Sequence, residues 1–213
     1  MRGVLDVLCE CHRRSFAYGD VKPANFLVCP DCDSAGGVSV RAVDFGCSRP
    51  VPLTQPCGSP LFMAPEMAGR RFGTAVDVWA AGVMLHILLV GRPPFWSNKS
   101  AEEAARLPAY AIVAATRTHD ISYPRSDWGR LSREARQLVE AMLTRDPAAR
   151  ITAGDALAHP WFDRALGFSP ARAAAAATAA QAEGERGAAA AAEAAIDGVV
   201  TFGQARVAAA ACA

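Results

Sequence analysis

Val4, Leu5, Leu8, Cys11 and His12 recur at helical spacing, so the chain begins inside or at the start of an amphipathic helix. Phe26–Val28 and Val38–Val43 read as two short strands, joined by a polar turn that carries Pro30, Asp31, Asp33, Gly36 and Gly37. From Gly46 to Pro65 the five prolines Pro50, Pro52, Pro56, Pro60 and Pro65 forbid a long helix, and the stretch is read as loop. Thr74 to Val90 is apolar nearly all round, the mark of a helix buried on every side. Gly91-Arg92-Pro93-Pro94 stops it. A helix over Ala101–Thr116 is expected to break at Pro108. Another, from Ser132 to Leu143, keeps its period through Leu131, Ala135, Leu138, Val139 and Met142, with Ser132 as N-cap beside Glu134. A short helix over Thr152–Ala158 follows. The pattern predicts a mainly α fold with one small β-hairpin near the front.

Near residue 164 the composition changes sharply. Runs such as Ala173–Ala177 and Ala188–Ala192 begin there, broken by Gly184, Gly187, Gly198 and Gly203. Two regions are therefore expected: residues 1–163, with a packed core, and an Ala-rich tail over 164–213. Alanine favours helix but buries too little area to offset ordering. The tail is thus either a docked helix anchored by Ile196, Val199, Val200, Phe202 and Val207, or, the favoured reading, a low-complexity extension.

Lys and Arg number 22 against 21 Asp and Glu, a net charge of +1. That balance leaves no general basic surface for nucleic acid or anionic lipid. The most apolar run, Val78 to Val90, carries His86 and is shorter than the roughly 20 residues of a membrane-spanning helix. Seven scattered cysteines, an odd count, and the lack of a signal-peptide pattern point to a reduced intracellular compartment, with cytoplasm the expected location. Cys29-Pro30-Asp31-Cys32, with Cys9 and Cys11, invites a zinc reading; a hairpin turn that happens to carry two cysteines is preferred. His12 is read as a packing residue and His86 as a satisfied core histidine.

The chemistry concentrates in Tyr18-Gly19-Asp20-Val21-Lys22-Pro23-Ala24-Asn25-Phe26-Leu27. Eighteen residues after Asn25 the chain leaves a strand as Val43-Asp44-Phe45-Gly46. Asp20, Lys22, Asn25 and Asp44 supply a base, a phosphate-binding cation and two oxygen ligands for Mg²⁺, the inventory of phosphoryl transfer. Gly58-Ser59-Pro60-Leu61-Phe62-Met63-Ala64-Pro65-Glu66 follows in the same order.

With these three segments the chain resembles the eukaryotic protein kinases, and its wording is closest to the calcium/calmodulin-dependent and plant-type calcium-dependent group. Asp77-Val78-Trp79-Ala80-Ala81-Gly82, Gly91–Trp96, Arg145–Thr152 and Ala156–Phe162 look like the family's later helices, so the resemblance covers about residues 4–163. It implies a Ser/Thr kinase using ATP and Mg²⁺ on a protein substrate. Asp20 would orient the hydroxyl or take its proton, and Lys22 would steady the transferring phosphoryl group. Asn25 and Asp44 would hold Mg²⁺, and Leu27 would lie under the adenine. Tyr18 and Phe45 would stack in an internal apolar column. Lys22 with Ser59 points to Ser/Thr acceptors, Glu66 and Arg150 would form a buried ion pair, and Asp77 would hold the backbone of the catalytic loop.

Three departures stand beside the matches. Gly19 replaces the arginine that, in the family, pairs with a phosphorylated activation loop. Ala24 replaces an acid that meets basic substrate residues. No Gly-rich loop or strand lysine can be placed before Tyr18, so the sequence reads as the larger, C-terminal lobe without its small N-terminal lobe. By itself it is expected to phosphorylate little, because positioning is most of this catalysis. A non-catalytic kinase-like scaffold is the competing reading. A small-molecule phosphotransferase is a weaker one.

Overall fold

Helix α1 (Arg2–Arg13) buries Val4, Leu5 and Leu8, the face that the spacing predicts. His12 and Arg13 occupy its last turn, where cations oppose the negative end of the helix dipole. The structure, a computed structural model, describes residues 1–30, 38–69, 71–96 and 98–165. After α1 the chain enters β1 (Phe16–Ala17), then a 3₁₀ turn at Pro23–Asn25. The hairpin follows: β2 (Phe26–Pro30) pairs antiparallel with β3 (Val38–Ala42), with Phe26 opposite Ala42. Against the expected bounds, β2 runs two residues longer, to Pro30, and β3 stops one residue earlier, at Ala42.

The proline-rich segment is not all loop. It contributes β4 (Arg49–Pro50), which pairs with β1 through Phe16–Pro50 and Ala17–Arg49. Two further 3₁₀ turns, Pro60–Phe62 and Pro65–Ala68, each begin on a proline; proline's fixed φ suits a first helical position, where its missing N–H costs nothing.

Helix α2 (Ala75–Val90) is the axis of the core. Every residue from Val76 to His86 is buried, Trp79 fully. Fully burying one such large apolar side chain is worth about 1.5–3 kcal/mol. Gly91, at φ +82°, ends the helix, its N–H donating to the Ile87 carbonyl at 2.8 Å. Pro108 divides the next stretch, as expected, into α3 (Ala101–Ala105) and α4 (Ala109–Thr118). A reciprocal cap starts α3: the Glu103 N–H donates to Ser100 Oγ at 3.1 Å, and the Ser100 N–H to Glu103 Oε2 at 2.7 Å. Helix α5 (Arg125–Trp128) lies in a stretch for which the pattern gives no element; four residues are too few to show a period. Helix α6 (Arg133–Met142) begins at Ser132, whose Oγ accepts from the Ala135 N–H at 3.1 Å. Its apolar stripe packs on α2. Thr152 caps α7 (Ala153–Leu157), and α8 (Pro160–Ala165) follows.

Met1–Phe162 form one compact unit. The Ala-rich tail with its candidate anchors Ile196, Val199, Val200, Phe202 and Val207 lies outside the described residues. Among the described residues no helix is long and apolar enough to cross a membrane.

Two readings need correction. Cys47 and Cys57 are joined by a disulfide, although the odd, scattered count suggested only reduced thiols. Of the cysteines weighed for zinc, Cys9, Cys11 and Cys29 are free thiols and Cys32 lies outside the described residues. His86 is only half satisfied: its Nδ1 lies 2.8 Å from the Arg92 carbonyl, but its buried Nε2 has no partner. A carbonyl can only accept, so Nδ1 carries the proton and Nε2 is a bare acceptor. Burial pushes this imidazole down to about 4, so it is neutral at physiological pH. Beside it lies a polar cavity of about 100 Å³, lined by Arg92, Asp120, Ser122 and Asp127 among others.

Candidate active site

The loop that carries Asp20 is held from below by the first turn of α2. Asp77, 1% exposed, accepts the Tyr18 N–H at 2.7 Å on Oδ2 and the Gly19 N–H at 2.8 Å on Oδ1. A buried carboxylate needs such partners, because an unpaired charge there would be costly. A third arrives from α1: His12 Nε2 lies 2.9 Å from Asp77 Oδ2. His12 is therefore not the simple packing residue its spacing suggested. It ties α1 to the acid that sets the loop. Nothing in the sequence links two residues 65 positions apart.

Gly19 and Gly58 have a reason in the backbone. Both lie at positive φ, +87° and +98°. A Cβ on Gly19 would stand 2.6 Å from the Cys47 carbonyl oxygen, and one on Gly58 would stand 2.4 Å from the Gly19 carbonyl oxygen. Three stretches of main chain thus stack with no room for a side chain between them. The resemblance implies only that an arginine is replaced at position 19; the structure adds that any Cβ there would collide with main chain.

On this base the polar cluster assembles. Asp20 Oδ1 accepts the Ser59 N–H at 2.8 Å. Asp20 Oδ2 accepts Lys22 Nζ at 2.7 Å and Asn25 Nδ2 at 3.1 Å. Lys22 Nζ also donates to Ser59 Oγ at 2.9 Å. Asn25, 5% exposed, donates a second bond to the Asp20 carbonyl at 2.8 Å. Partial burial alone would raise the Asp20 carboxyl, but the bonds from Lys22 and the Ser59 N–H, with the lysine charge, outweigh it and hold the group below its ordinary value. Asp20 is therefore a carboxylate at neutral pH. It is a weak base, well placed to orient a hydroxyl.

The hairpin sets Asp44 at the edge of this cluster. The Val43 N–H donates to the Asn25 carbonyl at 2.9 Å, which extends the strand register and sets Asp44 one residue beyond Asn25's partner. Asp44 itself is exposed and sits at φ +58°. A left-handed residue other than glycine is uncommon, and aspartate is among those that tolerate it; Oδ1 accepts the Gly46 N–H at 3.1 Å. The Tyr18 hydroxyl donates to the Val43 carbonyl, and its ring meets Phe45 edge-on at 5.2 Å and Phe26 at 5.5 Å. Burial, then the charges of Asp44 and Asp20, pushes the Tyr18 phenol far up; it stays a donor. Leu27 is 51% exposed and Phe45 40%, so apolar side chains remain open beside the acids.

The donor set suits Mg²⁺. Asn25 commits its NH₂ to Asp20, which leaves its amide oxygen outside those bonds, and Asp44 offers an exposed carboxylate. Both are the hard oxygen donors this ion takes, usually alongside water and substrate phosphates.

Glu66 and Arg150 lie outside this cluster and meet each other. Arg150 Nη1 and Nη2 donate to Glu66 Oε1 and Oε2 at 2.6 and 2.9 Å, and the arginine side chain is fully buried. The other three donors reach the carbonyls of Ala75, Thr144 and Arg145. This pair fixes the turn after the 58–65 segment to the start of α2.

A family model for the protein kinase domain matches residues 1–162 of this chain. The chain belongs to that family. It is 41% identical over 164 residues to calcium-dependent protein kinase 8 of Oryza sativa subsp. japonica, covering 75% of this chain and 28% of that protein. It is 39% identical over 166 residues to calcium-dependent protein kinase 24 of Arabidopsis thaliana, covering 76% and 26%. The chain thus spans under a third of the length of these curated relatives. Within a kinase domain fold, the structure brings Asp20, Lys22, Asn25 and Ser59 into one hydrogen-bonded cluster, with Asp44 at its edge through the hairpin register. Asp77 lies beneath it and Leu27 follows on β2. No pattern of residue types marks His12 as the partner of Asp77, or Cys47 as the partner of Cys57.

Proposed function

We propose that residues 1–163 are the larger lobe of a protein kinase that transfers the γ-phosphoryl group of ATP to serine or threonine hydroxyls of protein substrates. The observation that carries this reading is the bonding around Asp20. Its two oxygens gather Ser59 N–H, Lys22 Nζ and Asn25 Nδ2, with Asp44 brought alongside by the hairpin. Phosphoryl transfer asks for position and charge neutralisation more than for covalent chemistry.

In this reading Asp20, already ionised, accepts a hydrogen bond from the substrate hydroxyl and orients its oxygen for attack. Lys22 supplies the cation that meets the equatorial oxygens of the phosphoryl group, and its bond to Ser59 ties the peptide-receiving segment to the same point. Bound Mg²⁺ supplies charge neutralisation for the phosphates, with Asn25 and Asp44 as its protein ligands. Leu27 offers apolar surface to the adenine. His12 and Asp77 act one layer below, as positioning residues for the loop. The remaining parts of the nucleotide site, a Gly-rich loop and its lysine, belong to a small lobe.

The test joins a kinase small lobe ahead of Met1 and measures labelled phosphate transfer to Ser/Thr peptides. Transfer that falls by about 100-fold or more in Asp44→Ala supports the assignment. A fusion that transfers nothing, and binds Mg·ATP no better than its Asp44→Ala form, would replace it with a non-catalytic scaffold.

A further inference from the structure

Cys47 directly follows Gly46, Cys57 directly precedes Gly58, and the bond between them spans 10 positions. Segment 48–56 is thereby closed into a loop whose two ends rest on the catalytic loop. At the first end the Cys47 carbonyl packs on Gly19, and Ser48 Oγ donates to the Tyr18 carbonyl at 2.9 Å. At the second end Gly58 packs on the Gly19 carbonyl, and the Ser59 N–H donates to Asp20. Between the two, the described ties to the rest of the chain include the two-residue pairing of β1 with β4, the Val51 N–H to Ser15 carbonyl bond at 2.9 Å, the bridge from Leu53 to Phe72, and the burial of Leu53 in the core.

The two residues are not equally guarded: Cys57 is exposed and Cys47 half-buried. Two of the other described cysteines, Cys9 and Cys11, are poor competitors for exchange. Burial pushes the Cys11 thiol up to about 11 and the Cys9 thiol up as well, which keeps them protonated and slow at neutral pH.

We propose that Cys47 and Cys57 form a thiol–disulfide exchange site for an external protein dithiol, and that its redox state sets how firmly Ser59 is held on Asp20. This rests on the reading of Asp20, Lys22 and Ser59 as the catalytic cluster. A thiolate of the dithiol attacks Sγ of the exposed residue Cys57; the Cys47–Cys57 bond breaks, and Cys47 leaves as a thiolate that takes a proton from water. The second thiol of the dithiol, once deprotonated, attacks its own sulfur in the mixed disulfide and releases Cys57, which is protonated in turn. The dithiol ends as a disulfide and the chain gains two thiols, so two electrons and two protons are transferred. Without the cross-link, segment 48–56 regains conformational freedom, and the hydrogen bonds and backbone contacts named above are left to hold its ends on the catalytic loop.

The experiment uses the full 213-residue chain, with dithiothreitol as the reducing probe and oxidised glutathione as the oxidising one. Differential alkylation reads the thiols, and amide hydrogen exchange reads Ser59. The expected result is that Cys47 and Cys57 are blocked together after oxidation and released together by dithiothreitol, while Cys9 and Cys11 do not change. The Ser59 amide should exchange roughly 10-fold faster after reduction, since a local opening then costs less. Cys57→Ser should show the fast rate in both buffers, and Cys47→Ser should match it. Free Cys47 and Cys57 in the oxidised protein, or equal Ser59 exchange in the two buffers, would overturn the proposal. Neither readout depends on phosphoryl transfer. An inactive fusion with an intact redox response would therefore count against the kinase activity alone.

Discussion

Replacing Glu66 by glutamine removes one charge and almost no volume, and its consequence can be worked from the bonds of Arg150. All five guanidinium N–H donors are used: Nε on the Thr144 carbonyl at 2.8 Å, Nη1 on Glu66 and the Ala75 carbonyl, and Nη2 on Glu66 and the Arg145 carbonyl. The guanidinium also lies 5.1 Å from the centre of the Trp79 ring. In Glu66→Gln the amide oxygen can still accept from one Nη, but the amide NH₂ would then face the other, donor against donor. A fully buried cation is left without its counter-charge, a change that costs about 3–5 kcal/mol. At about 2–4 °C per kcal/mol for a domain of this size, the melting temperature should fall by about 6–20 °C. Urea unfolding followed by far-UV circular dichroism gives the free energy, and calorimetry the temperature. The double variant Glu66→Gln/Arg150→Met removes both charges. It should recover part of the loss, because a buried ion pair is often matched by apolar packing once neither charge is stranded. Recovery stays partial, since three carbonyls lose their donor. A loss below about 1 kcal/mol for Glu66→Gln, the range of an exposed pair, would refute the reasoning. So would a double variant less stable than the single.

Gly58→Ala should destabilise the chain by about 1–3 kcal/mol through backbone strain and speed amide exchange at Ser59, because its Cβ meets the Gly19 carbonyl at 2.4 Å. Gly91→Ala, at φ +82° but with no atom within 4 Å, should cost less and leave Ser59 unchanged; equal effects would contradict the stacked backbones at Gly19. Because His86 takes a proton in the unfolded chain near pH 6.5 but in the folded one only near 4, stability should fall as pH drops across that window, by roughly 3 kcal/mol in all. His86→Phe should flatten that part of the profile in urea unfolding; an unchanged slope would show that another group carries it. His12→Phe should weaken the hold on Asp77 and speed exchange of the Tyr18 and Gly19 amides by roughly 10-fold, whereas a residue that merely packs would leave those two amides as they are.

What the sequence makes legible is whatever repeats or sits close along the chain. Helix α2 is visible because sixteen residues, Ala75–Val90, carry one apolar pattern, and α6 because Ser132 caps a clear stripe. Asp20, Lys22 and Asn25 lie within one turn-rich segment, so their meeting follows from locality, and the resemblance supplies Asp44. The hairpin register that brings Asp44 in depends on one antiparallel pairing, which two short strands with a turn between them announce. Other features depend on distance. Helix α5, from Arg125 to Trp128, is shorter than any window in which a period can be seen. His12 reaches Asp77 across the core, and Cys47 reaches Cys57 because both ends of a loop settle on Gly19. An odd cysteine count hides such a pair. The unpartnered Nε2 of His86 is a property of packing, and no pattern of residue types predicts it.

The central claim is that Asn25 and Asp44 share one nucleotide-bound divalent ion. Substituting Mn²⁺ for Mg²⁺ in the presence of ATP, and following paramagnetic broadening in ¹H–¹⁵N spectra of the full chain, tests it most directly. The Asn25 side-chain amide and the Asp44 backbone amide should broaden first and together, and Asp44→Ala should abolish the effect at Asn25. Sharp signals at both positions while carboxylates elsewhere, such as Asp120 and Asp127, broaden would contradict it.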